Sequence, residues 1–132
     1  MPNFFKNSDL DNIKAESIVS DTLNNCDDGE LYLENSKSEL ILLDDNKIKN
    51  SSYSSDLGYG FRAITGEVVA YSHSNDISKD SILRSSQNLK DTLKSKKGIY
   101  NHEIPKSNKK YYKDLNPIEE KSQDSKIKIL NE

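Results

Sequence analysis

The spacing of apolar residues changes period twice along this chain, from helical to alternating and back. Ala15, Ile18, Val19, Thr22, Leu23 and Cys26 recur at i, i+3, i+4, i+7, i+8 and i+11, one stripe of an amphipathic helix over residues 9–26. Ser8 or Asp9 can cap its start, and Asp27-Asp28-Gly29 supplies a glycine to end it. The period then drops to two. Glu30-Leu31-Tyr32-Leu33-Glu34 alternates, and Glu39-Leu40-Ile41-Leu42-Leu43 is an apolar run of strand length. Asn35-Ser36-Lys37-Ser38 reads as a turn between them. Asp44-Asp45-Asn46-Lys47 reads as a tight turn, with Asn46 able to take the left-handed conformation. Residues 48–53 continue as a polar strand, and residues 59–63 and 67–72 form a further pair joined by Ile64-Thr65-Gly66. Ser78 caps a second helix, on which Ile82, Ser86, Leu89 and Leu93 repeat at helical spacing. Lys94, Lys96 and Lys97 suit its C-terminus, and Gly98 ends it. Helix, meander, helix predicts an α+β two-layer sandwich. Its sheet is a mainly antiparallel meander of four or five strands, covered on one face by two helices.

Composition decides how much of the chain such a fold can occupy. Leu, Ile, Val and Phe make 31 of 132 residues, enough for one small core concentrated in part of the chain. Residues 1–94 are therefore read as the domain. Residues 95–132, with Ile104-Pro105, Asn116-Pro117 and many Ser, Asn and Lys, are read as a basic linker or tail leading toward a further domain. Glu119 to Leu130 can start a helix, but its apolar stripe is thin. Charge divides the same way. Residues 1–94 hold ten Lys/Arg against sixteen Asp/Glu, and residues 95–132 hold nine Lys against six acids. An acidic body repels phosphate backbones, which argues against nucleic acid as a partner. Lys109-Lys110-Tyr111-Tyr112-Lys113 interleaves charge with aromatics as single-strand binders do, and is read first as a solvated linker. No apolar run approaches the roughly 18 residues of a membrane span, and the N-terminus has no export signal. The single cysteine, Cys26, is read as a buried filler. A reducing cytoplasm is the expected setting.

The search for chemistry is mostly negative. His73 and His102 are the only histidines, and neither lies in a metal-ligand spacing. Asp27-Asp28, Asp44-Asp45 and Glu119-Glu120 sit in turns or linkers, as solvated acids do. Gly58-Tyr59-Gly60 enters a strand and opens no helix, so it is not a phosphate loop. Against this background one segment stands out. Three of the five glycines and one of the two arginines fall between Gly58 and Gly66. Gly58 and Gly60 at i and i+2 leave one side of a strand bare, Arg62 projects from that side, and Gly66 makes the hairpin turn. A bare strand face admits either a covering helix or an extended peptide or partner domain. Gly58, Tyr59, Gly60, Arg62, Gly66 and Glu67 are the candidate contact residues.

Three segments carry a resemblance: Gly29-Glu30-Leu31-Tyr32-Leu33-Glu34, then Leu42-Leu43-Asp44-Asp45-Asn46-Lys47-Ile48-Lys49, and above all Gly58-Tyr59-Gly60-Phe61-Arg62-Ala63-Ile64-Thr65-Gly66-Glu67. In order and spacing they resemble the N-terminal domain of the TldD/PmbA family, the modulator-of-gyrase proteins, whose TldD members are zinc metallopeptidases. Tyr71, the following polar helix, and Tyr111 through Pro117 are similar as well. The resemblance covers roughly residues 9–130. The family's His-Glu-x-x-x-His zinc motif lies well beyond this domain, and no such segment occurs in these 132 residues. The resemblance thus implies a non-catalytic half with no catalytic residue and no cofactor of its own, the zinc belonging to the C-terminal part. It also implies a wall of the proteolytic cavity, a partner of the TldE/PmbA type or a self-related subunit, and admission of extended peptides. By itself the chain is expected not to hydrolyse peptides. A free-standing peptide- or partner-binding module, or a gene relic without function, are the alternatives.

Overall fold

The computed structural model describes residues 3–98 and 115–132. Its elements run α1 (Asn12–Leu23), β1 (Asp28–Asp44), β2 (Lys47–Thr65), β3 (Val68–Ser74), α2 (Lys79–Thr92) and α3 (Gln123–Leu130). The strands form one antiparallel sheet in the order β1-β2-β3, with Arg62 opposite Tyr71 and Gly60 opposite His73. The expected α+β class holds, built here on three strands and not on four or five. The difference has a local cause. Asn35-Ser36-Lys37-Ser38, expected to turn, is exposed throughout and stays inside β1. A polar stretch need not break a strand whose two faces are both wet, because no buried face sets its alternation. Ser38 Oγ lies 2.6 Å from Ser54 Oγ across the hairpin. The turn that does form is Asp45-Asn46, both left-handed at φ 50° and 57°, the pair of positive angles that a two-residue type I′ hairpin turn requires.

By compactness the described chain divides into two units, residues 3–35 with 57–98, and residues 36–56 with 115–132. The first holds the core. Its α1 stripe buries Ala15, Thr22 and Leu23, Cys26 is buried just past the end of the helix, and Ile18 and Val19 pack against the cluster. From the sheet come Phe61 and Ala63, and from α2 come Ile82, Leu89 and Leu93. Phe61, Leu23, Ile82 and Leu89 are the largest fully buried side chains, each worth about 1.5–3 kcal/mol of hydrophobic transfer. Hydroxyls key the helices into place. Thr22 spends its proton on the Ile18 carbonyl at 2.6 Å, so Ser86 of α2 donates to Thr22, also at 2.6 Å.

The helix starts follow from short polar side chains. Asp11 caps α1, accepting the Lys14 N–H at 2.8 Å, and Ser78 caps α2 by accepting from Ser81 at 3.2 Å. Asp9, expected to cap the first helix, serves the second instead and accepts the Lys79 N–H at 2.8 Å. Backbone donors hold both carboxyls below the ordinary carboxylate range, Lys79 acting on Asp9 and Lys14 on Asp11. At the other end the Gly98 N–H donates to the Asn25 carbonyl at 2.7 Å, and any Cβ there would press on the Asp27 and Cys26 backbone.

The second unit contains the outer part of the β1–β2 hairpin and α3, with Ser122 capping α3. None of its described residues is buried. The Lys109–Lys113 cluster and His102 lie outside the described residues.

Candidate functional site

Alternation splits the inner part of β2 into two sides. Tyr59, Phe61, Ala63 and Thr65 are buried and face the helices. Tyr59 therefore leaves the group of candidate contacts. Its hydroxyl sits 2.9 Å from Ser81 Oγ and 2.7 Å from Ser85 Oγ of α2, and Ser85 lies 2.8 Å from Ser72 of β3. It keys sheet to helix, a role that buried hydroxyls commonly take once every partner is satisfied.

Gly58, Gly60 and Arg62 share the opposite, open side of the sheet, as their spacing predicts. That side is not bare, however. A Cβ on Gly60 would lie 2.7 Å from the Tyr71 hydroxyl oxygen, and one on Gly58 would lie 3.0 Å from the Ser74 carbonyl. The glycines make room for β3 and its Tyr71 ring, and neither a covering helix nor an empty groove occupies that space. Tyr71 also stacks on His73 with ring centroids 5.8 Å apart, and stays exposed. An aromatic side chain laid diagonally over a strand glycine restores the contact that the missing side chain gives up.

Arg62 extends toward β1. Its guanidinium Nη2 is 3.1 Å from Glu30 Oε1 and 3.9 Å from Asp28 Oδ2. Its Nε is buried with no partner among the described residues. Further along β1 the Tyr32 hydroxyl donates to Glu34 at 2.8 Å, and that carboxylate pushes the Tyr32 phenol above its usual range. Gly66 takes φ +59° in the β2–β3 turn, and its N–H donates to Asp27 Oδ2 at 2.6 Å. Glu67, beside it, is exposed. The structure thus brings Gly60, Arg62, Tyr71, His73 and Glu30 together on one face, leaves Gly66 and Glu67 at the turn, and turns Tyr59 inward. Glu30 and His73 do not stand out as contacts in the sequence. The period-two register that places them beside Arg62 and Gly60 depends on how the strands pair.

Among the described residues no group of three or more His, Cys, Asp or Glu is placed to hold a metal ion. The described residues thus offer no set of ligands that fits a zinc site. What this face presents is a partly desolvated guanidinium, two exposed rings and an acidic edge. Among the described residues no helix is long and apolar enough to cross a membrane.

The second unit offers apolar surface. Leu40, Leu42, Ile48 and Tyr53 on the hairpin, and Leu115, Ile129 and Leu130 beyond it, are each between 45% and 60% exposed.

Comparison with known proteins shows the family of the chain. The profile of PmbA/TldA metallopeptidase domain 1 matches residues 29–95, from the start of β1 through α2. The chain is 33% identical over 105 residues to a metalloprotease TldD homolog of Buchnera aphidicola from Acyrthosiphon pisum, covering 79% of this chain and 22% of that relative. It is 28% identical over 113 residues to the metalloprotease TldD homolog of Haemophilus influenzae, covering 81% of this chain and 23% of that relative. The chain therefore spans less than a quarter of the length of these relatives. With the profile covering all three strands and the helix that packs on them, the chain belongs to the PmbA/TldA metallopeptidase family as its N-terminal domain.

Proposed function

We propose that this domain is a non-catalytic assembly and cavity-wall element of a TldD-like zinc metallopeptidase that degrades unfolded peptides. The single observation that carries the reading is the second unit. It exposes seven large apolar side chains and buries no described residue. A two-stranded hairpin with so little of its own to bury is at best marginal in water, and apolar side chains exposed in such number favour cover by another protein. The natural occupant is the remainder of the peptidase or its TldE/PmbA-type partner subunit. The open face of the first unit, with Arg62, Tyr71 and Glu30, is then the wall that meets extended peptides. Zinc, in this reading, is held by chain outside these 132 residues, in the cytoplasm.

The test is association. The Haemophilus influenzae TldD homolog is expressed without its matching segment and titrated calorimetrically with residues 1–132. The reading expects binding at about micromolar Kd or tighter, with zinc-dependent peptide hydrolysis returning on mixing. No heat at about 50 µM of either component contradicts it.

A further inference from the structure

The strand β3 is one edge of the sheet, and among the described residues no strand pairs with its outer side. Exposed strand edges are templates for pairing with another chain, and proteins ordinarily blunt them with charge or proline. The other edge, β1, is blunted in that way, carrying Asp28, Glu30, Glu34, Lys37, Glu39 and Asp44. The sequence of β3, Val-Val-Ala-Tyr-Ser-His-Ser, contains no Asp, Glu, Lys, Arg or Pro, and its β-branched and aromatic residues favour the strand state. The turn before it fixes which backbone groups face outward. Gly66 at φ +59° opens a two-residue turn closed by Thr65 opposite Val68, and the closing pair of such a turn is hydrogen-bonded. Bonded and non-bonded pairs alternate from there. Val69, Tyr71 and His73, opposite Ile64, Arg62 and Gly60, therefore turn their N–H and C=O away from β2. Their side chains lie on the open face, with Val69 56% and Tyr71 63% exposed.

We infer that β3 is a self-pairing edge, joining two copies of this chain into one antiparallel sheet in the order β1-β2-β3-β3-β2-β1. The occupant is a second copy because the edge is complementary to itself. A two-fold axis at Tyr71 sets Tyr71 opposite Tyr71 and Val69 opposite His73, so each outward-facing N–H and C=O of one copy meets its counterpart on the other. The facing side chains are then an aromatic pair flanked by β-branched–aromatic pairs, combinations that stabilise neighbouring strands. Charge selects the same element. Residues 1–94 hold ten Lys/Arg against sixteen Asp/Glu, so two such bodies repel where their charged elements meet, whereas β3 brings no like charges together. In this register Glu67 faces Asn75 and not a second acid. Seven residues a side make a small contact, which places the pair among weak associations, with Kd about 100 µM. The pairing stands on β3 alone and is independent of the proposed peptidase role.

Sedimentation equilibrium and residue-resolved amide exchange of the full chain test this together. Between about 20 µM and about 1 mM the chain is expected to pass from mostly monomer to mostly dimer. Over the same range exchange at Val69, Tyr71 and His73 is expected to slow about threefold or more, while Ala70 and Ser72, bonded to β2, do not change. Two double variants at the exposed positions then probe the register. Val69→Lys/His73→Lys sets like charges opposite each other across the axis and is expected to abolish the dimer, whereas Val69→Lys/His73→Glu sets opposite charges there and is expected to keep it. The wild-type exchange pattern decides the matter whether or not either variant folds. A chain that stays monomeric at about 1 mM, self-association that leaves the three outward amides unchanged, or two folded double variants that dimerise equally would each overturn the pairing.

Discussion

The two units are built from one continuous hairpin, yet they are held by different forces. Residues 3–35 and 57–98 contain every buried apolar side chain among the described residues, from Phe5 to Leu93. Residues 36–56 and 115–132 contain none, and rest on ion pairs and single hydrogen bonds. The same strands β1 and β2 pass through both units. Strand propensity and backbone pairing are therefore not what separates them. The separation comes from what lies against the sheet: two amphipathic helices with full stripes in one unit, and one short polar helix in the other. A helix with a stripe makes a core, and a helix without one makes a clasp.

The largest expected effect breaks the core unit and spares the other. Phe61→Ala removes a fully buried ring and is expected to cost about 3–5 kcal/mol in urea unfolding. Leu42→Ala, at a residue 45% exposed, is expected to change stability by less than about 1 kcal/mol. If the two cost the same, the contrast between the units collapses. Two glycines sharpen it next. A Cβ on Gly29 would sit 2.4 Å from Leu23 Cδ2 and 2.6 Å from the Arg62 carbonyl oxygen, a backbone clash that cannot relax locally. Gly29→Ala is expected to cost about 1–3 kcal/mol. Gly60→Ala meets only the far end of the exposed Tyr71 ring and is expected to cost less, while unstacking Tyr71 from His73 in aromatic proton spectra. Tyr59→Phe deletes the hydroxyl between Ser81 and Ser85 and is expected to cost about 1 kcal/mol.

The smallest effect is acid sensitivity. Asp9 and Asp11 have carboxyls held below their ordinary range by the Lys79 and Lys14 N–H groups. A depressed carboxyl stabilises the fold above its unfolded pKa, and that contribution fades as pH falls through the folded value. Thermal stability is therefore expected to be flat near neutrality and to begin falling below about pH 4. In the double variant Asp9→Asn/Asp11→Asn that fall is expected to be shallower. A double variant with an unchanged acid limb would remove these caps from the account.

Much of this was legible in residue spacing. The stripes of α1 and α2, the Ser78 cap, the Asp45-Asn46 turn and the pairing of residues 59–63 with the strand after Gly66 follow from local chemistry that nothing distant overrides. The continuity of β1 through Asn35–Ser38 was not legible, because polarity marks a loop only where one strand face must be dry. The inward turn of Tyr59 was hidden by its neighbours. Gly58 and Gly60 draw attention to their own side of the strand, while Tyr59 between them points to the other. The open-face group was half legible. Arg62 and Gly60 stand out as scarce residues in a Lys-, Ser- and Asn-rich chain, but Glu30 and His73 join them only through strand pairing. That α3 lacks a stripe was visible from Ile118, Ile127 and Leu130, whereas its charge partners Glu39 and Lys37 lie some eighty residues away along the chain.

Under the proposed function the two units offer different surfaces to the rest of a TldD-like enzyme, an open polar face and an exposed apolar hairpin, while the helix side of the sandwich is structural. Cross-saturation NMR on residues 1–132, bound to the Haemophilus influenzae homolog lacking its matching segment, tests it most directly. Attenuated amides are predicted at Leu40, Leu42 and Ile48 and around Arg62, Tyr71 and His73, with the outer surfaces of α1 and α2 unaffected. Attenuation confined to α1 and α2, with the hairpin and the open face untouched, would contradict it.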